Sequence, residues 1–124
     1  MRLHLVAAFA LAWAASAAAQ ESAPPSRGRL TESVVNACVA SRAMEREENR
    51  ERICACGAGY TSASMNDREF AIFARIAPFA SDIPGMQAAL QGLLGEGYTQ
   101  DEINGAMARI IAVAAPAQLT CGGV

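Results

Sequence analysis

Two cysteines one residue apart, Cys54-Ala55-Cys56, constrain this chain more than any other feature. On a helix, positions i and i+2 project about 200° apart, so the two side chains leave from nearly opposite faces. They cannot easily share a partner, and a disulfide between them would close a small, strained ring. The other cysteines are Cys38 upstream and Cys121 near the end of the chain. The economical reading joins Cys38 to one member of the pair and Cys121 to the other. Cys38–Cys54 with Cys56–Cys121 is the preferred set. The crossed set, Cys38–Cys56 with Cys54–Cys121, stays open because spacing does not decide connectivity.

The compartment is read from the start of the chain. Met1-Arg2 supplies one early positive charge, Leu3 to Ala15 is an apolar run, and Ser16-Ala17-Ala18-Ala19-Gln20 follows. A basic head, a short apolar core and a small-x-small end form the pattern of a secretory signal peptide, here residues 1–19, cut between Ala19 and Gln20. The competing reading is a membrane anchor, but the core is shorter than the roughly 20 residues a span needs. Cys38 lies too far downstream to be a lipid attachment site, and no later segment is apolar enough to cross a bilayer. The expected protein is periplasmic or secreted, with no stable membrane span. Residues 20–30, with Pro24-Pro25 and Gly28, read as a disordered leader, and residues 31–124 as one helical domain.

Removal of the signal also removes the single histidine (His4) and the single tryptophan (Trp13). A mature chain without histidine has no Ser-His-Asp triad, no Cys-His pair and no His-containing metal site. With Arg2 gone, nine arginines face twelve acids, a net charge of -3. That mild acidity argues against nucleic acid or an anionic membrane as a partner, since both need clustered positive charge. About 105 residues suffice for one domain with a modest core. In an oxidising compartment, four cysteines read as two disulfides. Each contributes about 2–4 kcal/mol, against a total stability near 5–15 kcal/mol.

Helices follow from capping and periodicity. Thr31 is a candidate N-cap, and Val34, Val35, Cys38 and Val39 recur at helical spacing. A straight helix onward would put Cys38 and Cys54 about 24 Å apart, whereas a disulfide needs Cα atoms within about 7 Å. The charged run Arg42 to Arg52 must therefore turn, and residues 45–49 are the expected place; its charges read as a solvated face. The second helix is expected to carry Ile53, Cys56, Gly57 and Tyr60 on one side and Cys54 on the other. Asn66-Asp67-Arg68-Glu69 is a capping box with Met65 and Phe70 spaced as a hydrophobic staple. Phe70, Phe73, Ile76 and Ala77 line that helix until Pro78. Asp82 caps a fourth helix with Ile83, Met86, Leu90, Leu93 and Leu94 on its apolar face, stopped by Gly95 and Gly97. Thr99-Gln100-Asp101-Glu102 repeats the capping box, with Tyr98 and Ile103 as staple. Ile103, Met107, Ile110, Ile111 and Ala114 form the fifth face, and Pro116 is expected to close the helix. The fold class is all-α: a compact, disulfide-stapled bundle of four to five short helices.

Three chemistries compete for the cysteines. Two structural disulfides are the plainest. A thiol-redox pair would need a depressed thiol pKa at a helix start, and it lacks Cys-x-x-Cys spacing. Soft-metal binding, copper(I) or zinc, would rest on Cys-x-Cys chelation without a histidine. No catalytic, cofactor-binding or metal-binding residue is assigned. Glu45, Glu47, Glu48 and Glu51 alternate with arginines, while Asp67, Glu69, Asp101 and Glu102 serve as caps. Gly57-Ala58-Gly59-Tyr60 lacks the preceding strand of a phosphate loop.

Cys38, the Cys54/Cys56 pair opening a helix, the capped segment Asn66 to Phe70 and the late Cys121 together span most of the mature chain. In that arrangement the chain resembles the small exported four-cysteine helical proteins of Gram-negative bacteria. A looser likeness is to periplasmic acid-stress chaperones, which are also small, helical and disulfide-bonded. The resemblance implies architecture and export and says little of activity. The expected function is a non-enzymatic binding or structural module acting through a protein partner, with a thiol-redox or chaperone-like stress role as the alternative.

Overall fold

The structure, a computed structural model, describes residues 25–122. The expected signal segment, its Ala19/Gln20 junction and leader residues 20–24 lie outside the described residues. Among the described residues five α-helices follow one another: α1 (Arg27–Val39), α2 (Arg50–Ser64), α3 (Asp67–Ile76), α4 (Ile83–Gly95) and α5 (Gln100–Cys121). Short 3-10 turns occupy Arg42–Met44 and Ala77–Phe79, and no strand occurs among the described residues. The expected all-α, disulfide-stapled bundle is what forms.

The short helix α3 is the centre of the packing. Phe70 and Ala74, one turn apart, join Val34 of α1, Ala58 of α2 and Met65 in one apolar cluster. Ile72 and Ile76, also one turn apart, join Ala89 and Leu93 of α4 and Ile103 and Ala106 of α5 in another. Phe70 and Ile72 are two residues apart, so these rows leave α3 on nearly opposite sides. The single face expected for this helix (Phe70, Phe73, Ile76, Ala77) is therefore corrected to two. Phe73 is only half-buried, packed beside Phe70 with ring centroids 6.2 Å apart. A third cluster, Met44, Ile53 and Cys54, packs against Val35, Cys38 and Val39 of α1.

Both capping boxes form. Asn66 accepts from the Glu69 amide at 2.8 Å, and Glu69 accepts from the Asn66 amide at 3.0 Å. Thr99 accepts from the Glu102 amide at 3.1 Å, and Glu102 accepts from the Thr99 amide at 2.8 Å. The boxes are also tied to each other. Arg68 of α3 donates Nε and Nη2 to the two carboxylate oxygens of Glu102 at 2.6 and 3.1 Å, and lies 4.4 Å from the Tyr98 ring centroid. Arg109 of α5 donates to Glu69 at 3.4 Å. Each box glutamate thus neutralises its own helix start and an arginine of the other helix.

Several expectations are corrected. The leader was expected to reach residue 30, but α1 begins at Arg27, capped by Ser26, which accepts from the Arg29 amide at 3.3 Å. Thr31 bonds back to the Arg27 carbonyl instead of capping. A tertiary clasp holds this early turn: Arg27 donates to Asp67 at 2.9 Å, to the Ser62 carbonyl and hydroxyl at 2.5 and 2.8 Å, and to the Met65 carbonyl at 3.0 Å. The guanidinium covers the carbonyl end of α2 and the acidic start of α3 together, as the helix dipoles favour. The chain does break before α2, with Asn49 at its N-cap. The buried residues of α2 are Ile53, as expected, with Cys54, Ala58 and Thr61, continued by Met65 beyond its end, whereas Cys56, Gly57 and Tyr60 are only half-buried. On α4, Ile83 and Leu94 are exposed and Ala89 and Leu93 are buried. Gly97, at φ +97°, lets Tyr98 donate to the Leu93 carbonyl at 3.1 Å, the Schellman closure that only a left-handed residue permits.

Pro116 does not end α5. The helix runs on to Cys121, with Gly122 (φ +71°) beyond it. Its inner face steps by three and four through Ile103, Ala106, Ile110, Val113, Ala117 and Cys121, leaving Ile111 outside and Ala114 exposed at the edge of that face. Proline removes one amide donor, and the disulfide at Cys121 holds the last turn in place.

Replacing Arg27 by Ala is expected to lower stability by about 1–2 kcal/mol in chemical denaturation, the range for charged hydrogen bonds reduced for solvent contact. Arg27→Lys should not restore it, since a point charge cannot reach all four acceptors. The hydrogen bonds from Arg68 and then from the Thr99 amide hold Glu102 down from 4.5 to about 2. A carboxylate depressed on folding contributes stability above its unfolded pKa, and the contribution disappears as pH falls from 4.5 toward 2. Melting temperatures measured across that interval should fall less steeply for Glu102→Gln than for the parent protein.

A cavity walled by two disulfides

Cys54 faces α1 and Cys56 faces α5, as residues two apart on α2 must. Cys38–Cys54 has a Cα separation of 5.7 Å and spans 16 residues. Cys56–Cys121 has a Cα separation of 5.6 Å and spans 65. All four sequence-assigned cysteines are thus brought together around α2, in the preferred pairing, and no free thiol occurs among the described residues. In this oxidised state none of the four is a thiolate.

Between α1, α2 and α5 lies a cavity of about 310 Å³ with Cys38, Cys54 and Cys121 in its wall. Its α1 side is Val34, its α2 side Ile53 and Ala58, and Phe73 of α3 also lines it. The space exists because the facing residues are small: Gly57 and Ala58 on α2, Ala114 and Ala117 on α5. No ionisable side chain lines it; its polar side chains are Thr61 and Gln118. Thr61 is the one polar residue among the buried residues described, at 9% exposure. Walls of this kind suit an uncharged apolar occupant and offer no acid, base or nucleophile.

Sequence reasoning found the cysteines and missed the cavity. The available signal was the run of small residues opposite one another, Gly57-Ala58 and Ala114 to Ala117, but only the placement of α5 against α2 makes them face. A broader hollow of about 550 Å³ follows residues 45–52, the loop before α2 and its first turn, where four glutamates alternate with three arginines. Nearly all of these side chains are exposed, so it is a solvated charged surface. Comparison with protein-family models, curated proteins and solved structures finds no match to this chain.

The two disulfides should differ in weight. The double variant Cys56→Ala/Cys121→Ala opens the longer loop and should lose about 4 kcal/mol in equilibrium unfolding, against about 3 kcal/mol for Cys38→Ala/Cys54→Ala. The reverse order would mean that local packing, and not chain entropy, sets their contributions.

Proposed function

We propose that this chain is an exported, non-enzymatic binding module, related in design to the small four-cysteine helical proteins it resembles. The observation that carries the reading is the apolar cavity between α1, α2 and α5, bracketed by both disulfides and lined by no ionisable group. A rigid, stapled wall around a preformed space favours binding because little ordering remains to be done when the occupant arrives. The composition beyond Ala19 supports the non-catalytic part, since it offers no histidine for general base work or for activating a nucleophile. The two disulfides support an oxidising compartment, and no described helix is long and apolar enough to cross a membrane.

The test is an intact mass and a non-reducing peptide map of the full chain expressed with its own N-terminus in a Gram-negative host. The expected product starts at Gln20, carries Cys38–Cys54 and Cys56–Cys121 peptides, and resists mild reductant. Retention of residues 1–19 would defeat the export reading. Ready reduction at Cys54 and Cys56 would replace the binding module with a thiol-redox protein.

A further inference from the structure

We propose that the cavity between α1, α2 and α5 binds a small, uncharged, mainly aliphatic molecule bearing one hydrogen-bonding oxygen, and that Thr61 reads that oxygen. This rests on the binding-module reading above and adds the chemistry of the ligand. Three observations meet here. First, the wall holds no charge to offset an ionised ligand, and burying an unpaired charge costs far more than burying a neutral polar group. An acid or amine would therefore be rejected where the corresponding alcohol or ketone is accepted.

Second, the Thr61 hydroxyl is unspent. Thr31, Ser64 and Thr120 each turn back to the carbonyl four residues earlier, at 2.9, 2.8 and 2.9 Å. Thr61 is nine-tenths buried and lines the cavity, yet its hydroxyl has no hydrogen-bond partner among the described residues. Every described side-chain oxygen or nitrogen that is sealed from solvent does have a partner, so the Thr61 oxygen is not sealed, and Thr61 stands in the cavity wall. A hydroxyl can both donate and accept. An apolar pocket with one such group is how a protein orients a neutral ligand.

Third, the space can be filled deliberately. Gly57 is in the wall, and a Cβ placed on it meets no atom within 4 Å. Ala117 of α5 is in the opposite wall. A larger side chain at Gly57 would grow into open space beside the wall, and one at Ala117 would reach in from the opposite wall, so each would compete with a ligand.

The experiment titrates the oxidised exported protein with 1-octanol and 2-octanone, and with octanoate at pH 7, following backbone amide shifts by NMR. Saturable shifts centred on Gly57, Thr61 and Ala117 are expected for the two neutral probes, with octanoate at least about tenfold weaker. Gly57→Leu and Ala117→Phe should each abolish binding; two variants guard against one failing to fold. Thr61→Val should weaken both neutral probes by about 3- to 10-fold, the equivalent of one net hydrogen bond. Shifts that scatter without saturating, binding that survives both filled variants, or octanoate binding as tightly as octanol would overturn the site. Equal affinity in Thr61→Val would overturn the role of the hydroxyl. None of these outcomes alters the N-terminus or the disulfide map, so this proposal and the reading beneath it fail separately.

Discussion

Side chains two residues apart on an α-helix diverge by about 200°, and the bundle uses this divergence twice. On α2 it sends Cys54 to α1 and Cys56 to α5, so that one helix is covalently held on two sides. On α3 it sends Phe70 into one cluster and Ile72 into the other, so that a ten-residue helix separates two cores. The remaining helices are arranged around these two. Because α2 and α3 follow each other directly, with Met65 and Asn66 between them, the covalent and the apolar centres sit side by side.

Polar contacts then fix the angles that apolar burial leaves free. Hydrophobic contact is non-directional, whereas a guanidinium fork has a required geometry. Arg27 spans the α2–α3 junction, and Arg68 and Arg109 cross-link the starts of α3 and α5. These pairs are partly exposed, so each adds modest stability. Their contribution is orientation. They align the starts of α3 and α5 and so direct the distant end of α5 toward α2.

The cavity is the consequence of where α5 arrives. Unfilled apolar space forfeits dispersion contacts along its walls, and a bundle of this size has few to spare. Covalent links on both sides offset that loss. The last turns of α5 beyond Pro116 bury little besides Cys121, with Leu119 89% exposed, so the disulfide rather than packing holds them. Those same turns form one wall through Ala117 and Cys121. The staple and the cavity thereby share the same turns of α5.

Much of this was legible from the residues alone. The capping boxes at Asn66 and Thr99, the break forced before α2, the stop at Gly97 and the all-α class are local or near-local consequences of cap chemistry, helix rise and backbone sterics. These hold whatever the neighbours are. The Cys54/Cys56 divergence belongs with them, since it is a property of a single helix. Connectivity does not, because two crossed pairings satisfy the same spacing, and only the positions of α1 and α5 choose between them. The start of α1 at Arg27 depends on acceptors 35 to 40 residues away. The two-sided burial of α3, the exposure of Ile83 and Ile111, and the passage of α5 through Pro116 likewise depend on partners that periodicity cannot see. Amphipathic spacing marks which residues could be buried; which of them are, and where a gap is left between them, is decided when helices distant in the chain are brought into contact.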